Sequence, residues 1–176
     1  MKDTPLPIFY SFRRCPYAMR ARLALSVSGQ QCVLREILLR DKPKEMRDVS
    51  AKATVPVLVL PDNSVLEESL DIMLWALEKY DPQHWLSPEI GCLDDMKEVM
   101  ARNDGAFKDH LDRYKYATRY NPETDPIYHR GEGIIFLKFL EQRLACHRQL
   151  FGDKPALADF ALFPFVRQFA NTDRDW

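Results

Sequence analysis

The chain has 176 residues, enough for one sizeable domain or two small ones. Apolar residues make up 46% and charged residues 29%, the balance of an ordinary globular protein, and a formal net charge of −1 argues against non-specific nucleic-acid binding. No apolar run approaches the roughly 18 residues of a membrane span, and "MKDTPLPIFYSF" lacks the apolar centre of a signal peptide, so the expected address is the cytoplasm with no membrane partner.

In chain order, "LPIFYSF" (6–12) predicts a short strand. Residues 16–28 predict a helix, with Ala18, Ala21 and Leu25 on one face, Arg20 and Arg22 elsewhere, and Gly29 as the stop. "QCVLREILL" (31–39) reads as a second strand, and "KPKEMRDVSA" (42–51) as a short helix entered at Pro43. "TVPVLVL" (54–60) is a third strand interrupted by Pro56. After the turn "PDN" (61–63), "SVLE" (64–67) completes a hairpin. "ESLDIMLWALEKY" (68–80) is apolar on most faces and reads as a largely buried helix.

The first 80 residues therefore predict an α/β domain of order β-α-β-α-β-β-α. "DPQHWLSPEIG" (81–91) has the composition of a linker, and residues 92–176 predict only helices. One long helix is expected over 92–117 with an irregularity at Gly105, then a break at "NPETDP" (121–126). Another is expected over 127–150, and an almost uniformly apolar one over 156–170 that should run through the middle of the helical domain.

Cys15, Cys32, Cys92 and Cys146 are far apart and form no C-x-x-C pair. Scattered cysteines of this kind are free thiols in a reducing compartment, and the equally scattered histidines give no metal-ligand spacing, so no metal is expected. Cys15 differs from the rest in its setting, between a strand and a helix that opens with Pro16. A thiol there faces the unpaired N–H groups and positive end of the helix dipole. Both favour thiolate and lower the pKa from about 8.5. Packing alone would not require this arrangement. The position where a dithiol enzyme keeps its second cysteine is Ala18, so the disulfide partner of Cys15 should come from outside the chain, with glutathione the natural candidate.

"RCPYAMRARLAL" resembles the active-site segment of cysteine-type cytosolic glutathione transferases, particularly the omega class and glutaredoxin-like bacterial relatives. "LRDKP" (39–43), "TVPVL" (54–58), "EESLDI" (67–72) and "KPALADFALFPFVRQF" (154–169) follow in the family's order, so the resemblance covers essentially the whole chain. It implies a thioredoxin-like domain over 1–80, a linker over 81–91 and an all-helical domain over 92–176.

It also implies a site. Cys15 forms a mixed disulfide with glutathione. A cis Pro56 lets the backbone of Val55 pair with the cysteinyl unit. Ser69 and the start of its helix bind the γ-glutamyl carboxylate, Glu68 pairs with the γ-glutamyl ammonium, and Lys42 pairs with the glycyl carboxylate, with Lys52 a competitor for that last role. A second substrate would lie between the domains, with Phe12, Tyr17, Phe107, His110, Leu111 and Tyr114 as candidate lining residues, although such an apolar stripe is more often core than pocket. Tyr10, Ser11 and Tyr17 are the hydroxyls to weigh against Cys15, since hydroxyl enzymes of this family conjugate electrophiles whereas cysteine enzymes favour thiol transfer.

The implied function is a glutathione-dependent thiol transferase or reductase, with conventional conjugation, or a transferase-shaped binding module, as alternatives. The implied partners are glutathione and a small electrophilic or disulfide substrate, and a homodimer is a further expectation. Two departures stand out. Ala156 occupies the place of the Ser or Thr that usually caps the central helix, and the chain stops at "NTDRDW" where relatives continue through further helices.

Overall fold

A computed structural model describes residues 5–120 and 124–176. It divides into two compact units, Met1–Gln83 and His84–Trp176.

The first unit is built on four strands: β1 (Ile8–Ser11), β2 (Val33–Glu36), β3 (Val57–Val59) and β4 (Val65–Leu66). Their order in the sheet is β2-β1-β3-β4. β1 runs parallel to β2 and antiparallel to β3, and β3 runs antiparallel to β4. A parallel neighbour requires a crossover, which α1 (Pro16–Val27) provides. The antiparallel β3–β4 pair needs only the turn at Asp62 and Asn63, where Asn63 takes φ 66°.

Alternation along the strands divides their side chains between two faces. Tyr10 and Val57 point to one face and pack with Ile37 and Met46, the latter from α2 (Lys44–Val49). Phe9 and Leu58, the adjacent register pair, point to the other, which α1 and α3 (Ser69–Lys79) cover. The close packing of α1 on α3 rests on small residues: Ala18, Ala21 and Ala24 are fully buried, as are Ile72, Met73 and Ala76.

The second unit contains α4 (Leu93–Arg102), α5 (Lys108–Lys115), α6 (Pro126–Leu144) and α7 (Leu157–Ala170). α7 packs against α4 and α5, and α5 against α6. An aromatic cluster fills the centre. The ring of Phe107 lies 4.8 Å from Phe136 and 5.7 Å from Phe169, and Tyr114 lies 5.3 Å from Phe169. Residues from His84 onward belong to this unit: Trp85 stacks on Phe160 at 3.7 Å, and its carbonyl accepts the N–H of Leu157. Asp159 accepts the N–H of Ala156 at 2.8 Å and that of Leu150 at 2.9 Å, so one carboxylate ties the preceding loop to the first turn of α7.

Several boundaries differ from the sequence reading. β2 covers only Val33–Glu36 of the expected 31–39, because the backbone turns after Ile37 into a small bridge between Leu38 and Asp41. β3 begins after Pro56, which cannot donate a ladder hydrogen bond. The helix expected over 92–117 is two helices, and the kink between them falls at the expected Gly105, which leaves the helical region with ψ −106°. α6 stops at Leu144, short of the expected end at 150. The chain then turns, with Gln149 donating to the carbonyl of Gly152 and Arg143 Nε to that of Leu150. Phe163 on α7 is 59% exposed, so that helix is not apolar-buried on every side. Of the break expected at 121–126, residues 121–123 lie outside the described residues. No helix among the described residues is long and apolar enough to cross a membrane.

Candidate functional site

The N-terminus of α1 carries the first component. Cys15 is its N-cap, with extended backbone (φ −78°, ψ 122°), and Pro16 is the first helical residue. Proline is suited to that place, since its fixed φ matches the helix and its missing N–H would have had no intrahelical partner. The Cys15 N–H donates to the Phe12 carbonyl, and its own carbonyl accepts from Met19. The turn ahead of it is braced from β2: Glu36 accepts the Arg13 N–H and pairs with Arg22, which also donates to the Arg13 carbonyl.

The Cys15 side chain is half-buried. Its S–H donates to the carbonyl oxygen of Val55 at 3.6 Å, across 40 residues of sequence. The Val55–Pro56 peptide is cis. The thiol and the chain segment before β3 are thus neighbours.

The third component is the start of α3. Glu68 is its N-cap and Ser69 its first residue. Ser69 is 3% exposed, and its hydroxyl accepts a hydrogen bond from Arg20 Nε at 2.9 Å. The proton of that hydroxyl has no acceptor among the described residues. Glu68 is exposed and ion-paired with Lys52, whose pKa is raised by the hydrogen bond and charge of that carboxylate. Glu67 is held by the hydroxyl of Ser50 at 2.5 Å. The two carboxylates flanking the helix start are therefore both anchored to the segment after α2. Lys42 is half-buried and has no hydrogen bond or ion pair among the described residues.

Cys15 follows β1, Val55 and Pro56 precede β3, and Glu68 and Ser69 follow β4, so all five adjoin strands of the one sheet. Arg20 corrects the sequence reading, which placed it away from the buried face of α1. It is 2% exposed, with Tyr17 stacked 5.0 Å from its guanidinium. Nothing local signals this, because its hydroxyl partner is 49 residues away. The Lys52–Glu68 pair has no sequence signal either, and it joins two residues expected at different ends of a ligand.

The remaining candidates sit as follows. Tyr10 and Ser11 are buried in β1, and Phe12 lies at partial exposure against Arg14. In the helical unit Phe107, Leu111 and Tyr114 are buried within the core. His110 is half-exposed, with Nδ1 2.8 Å from Nδ1 of His129 across the α5–α6 contact. Among the described residues there is no group of three or more His, Cys, Asp or Glu side chains able to hold a metal ion.

Family models match both units: the glutathione S-transferase N-terminal domain over residues 9–84 and the C-terminal domain over residues 136–176. The chain belongs to the glutathione S-transferase family. Solved structures share this transferase's fold at low identity. Ure2p in complex with glutathione gives TM-score 0.81 at 18% identity, over 97% of this chain and 87% of that one. A glutathione transferase family member from Pseudomonas fluorescens with two glutathione bound gives 0.79 at 18%, over 97% and 79%. Glutathione transferase Omega 3C from Trametes versicolor gives 0.78 at 20%, over 97% and 72%. Comparison with curated proteins gives no match. The four-stranded mixed sheet of the first unit and, among the described residues, the strand-free helical second unit agree with the element order read from the sequence, and the transferase fold with the family resemblance.

Proposed function

We propose that this transferase is a glutathione-dependent thiol transferase whose nucleophile is Cys15. The observation that carries the reading is the place of the sulfur. It sits at the first turn of α1, beside the Val55 carbonyl. The helix dipole at this position favours thiolate, the attacking species, while the hydrogen bond to the Val55 carbonyl holds the resting thiol and is given up when the proton leaves.

The residues present fit the tripeptide. Ser69 offers a buried hydroxyl proton at the positive end of α3, where a carboxylate is favoured. Lys42 offers an uncommitted ammonium for a second carboxylate. Glu68 offers an acceptor for an ammonium group, in exchange with or alongside Lys52. The backbone of Val55 offers main-chain pairing to the central residue of the tripeptide. Tyr10 and Ser11 are buried away from solvent, and Tyr17 lies within α1 with its ring against the Arg20 guanidinium, whereas Cys15 stands at the strand-to-helix turn itself.

The chemistry balances without a further redox partner. The Cys15 thiolate attacks the glutathione sulfur of a glutathionylated substrate, forming the Cys15–glutathione disulfide and expelling the substrate as a thiolate. A second glutathione thiolate then attacks the glutathione sulfur of that disulfide, releasing oxidised glutathione and restoring the Cys15 thiolate. The test is glutathione-dependent release of a thiol from a glutathionylated peptide, measured for the wild type and Cys15→Ser. Turnover abolished in the variant supports the reading. Turnover retained in Cys15→Ser, or conjugation of an electrophile unaffected by that change, refutes it.

A further inference from the structure

Arg20 and Ser69 form a buried pair of which the roles above use only the serine. Each is at least nine-tenths buried, and the Nε–H of Arg20 donates to the Ser69 hydroxyl oxygen at 2.9 Å. A serine hydroxyl has one proton and two lone pairs, whereas a guanidinium can only donate. The arginine therefore occupies a lone pair and excludes the orientation in which the hydroxyl proton points toward it. The proton must be directed elsewhere, and no acceptor for it exists among the described residues. Ser69 is also the first residue of an 11-residue helix, so the free N–H groups of that turn and the buried guanidinium act with the same sign.

We propose that Arg20 is the positioning residue that makes Ser69 a dedicated donor to a carboxylate at the start of α3, and so sets the preference of this subsite for an acidic over an uncharged ligand end. The proposal rests on the reading that this helix start receives the γ-glutamyl carboxylate. Because Arg20 acts through the hydroxyl, its contribution is conditional. With the hydroxyl absent, the guanidinium has no oriented proton to deliver.

The experiment is a double-mutant cycle read by calorimetric affinity for two ligands, glutathione and its analogue with the γ-glutamyl α-carboxylate converted to an amide. The proteins are wild type, Arg20→Lys, Ser69→Ala, the double variant, and Ser69→Thr as the hydroxyl-retaining control. Arg20→Lys and Ser69→Ala should each weaken glutathione about tenfold or more, the scale of one hydrogen bond to a charged group. Both should shrink the acid-over-amide preference by a similar factor. In the Ser69→Ala background Arg20→Lys should add less than about twofold, and Ser69→Thr should recover most of the affinity.

Effects that multiply in the double variant, or an acid-over-amide ratio untouched by Arg20→Lys, overturn the proposal. If Arg20→Lys does not fold, the side-chain Nε–H resonance of Arg20 is followed in otherwise unaltered chains. Loss of its protection from solvent exchange in Ser69→Ala, with retention in Ser69→Thr, supports the pair, and no change in Ser69→Ala overturns it. A folded wild type that binds neither ligand refutes the underlying site reading. Wild-type binding with additive effects refutes only the role of Arg20.

Discussion

Gly131 and Gly133 stand two positions apart in α6, and alanine should act on them with opposite signs. At Gly131 an added Cβ meets nothing within 4 Å, so alanine only removes the backbone-entropy cost of glycine in a helix, a gain of about 1 kcal/mol. At Gly133 the same Cβ would lie 2.6 Å from Cε2 of Phe169. That ring is 3% exposed and is enclosed by Phe107 and Tyr114, so it cannot swing aside without disturbing the aromatic cluster. Overpacking of this kind costs about 1–3 kcal/mol. Set against the same helix gain of about 1 kcal/mol, Gly133→Ala should be destabilising by up to about 2 kcal/mol, and the two variants should differ by about 1–3 kcal/mol. Urea unfolding followed by far-ultraviolet circular dichroism gives both values from midpoints at a common slope. Equal stabilisation by the two alanines would refute the reasoning, because it would mean that α6 and α7 do not approach closely at this point.

Other consequences are equally direct. Asp159→Ala strips two backbone N–H groups of their acceptor, one on each side of the turn into α7, and should cost about 2–5 kcal/mol in the same assay, whereas Ala156→Ser supplies the missing half of the cap and should add about 1 kcal/mol. His129 has its pKa pushed below the usual imidazole value, first by burial and then by the neighbouring charges of His110 and Arg113. A depressed folded-state pKa means the unfolded chain binds the proton more readily. Stability is then full above the ordinary histidine range and falls as pH drops from about 6.5 through the lower folded-state value. The urea midpoint should therefore decrease between about pH 7.5 and about pH 5.5, and His129→Gln should flatten part of that decrease.

The element order was legible because period-2 and period-3.6 patterns alternate cleanly through the first 80 residues and only the latter persists afterwards. Ends of elements were less so. The last third of "QCVLREILL" has strand composition, yet Ile37 is drawn into the core beside Met46 and the chain turns there. Gly105 marked the irregularity within 92–117, and the chain kinks there, at ψ −106°. At the site, Cys15-Pro16 and Glu68-Ser69 stand out because capping positions constrain residue type locally. Arg20 does not, since its hydroxyl partner Ser69 is 49 residues away and is brought close by the packing of α1 on α3. Phe107 and Tyr114 show the same limit from the other side. A stripe of aromatic residues looks alike whether it lines a pocket or, as these do, fills the core of its own unit.

The most direct test of the central claim is the state of the Cys15 sulfur. Intact-mass measurement after exposure to oxidised glutathione, with Cys15→Ser alongside, should show one glutathione adduct that the variant lacks. The pH profile of alkylation at Cys15 should give a pKa well below the free-thiol value of about 8.5. An adduct-free protein whose Cys15 alkylates like an ordinary thiol would contradict the account, and would leave a glutathione transferase fold without cysteine chemistry.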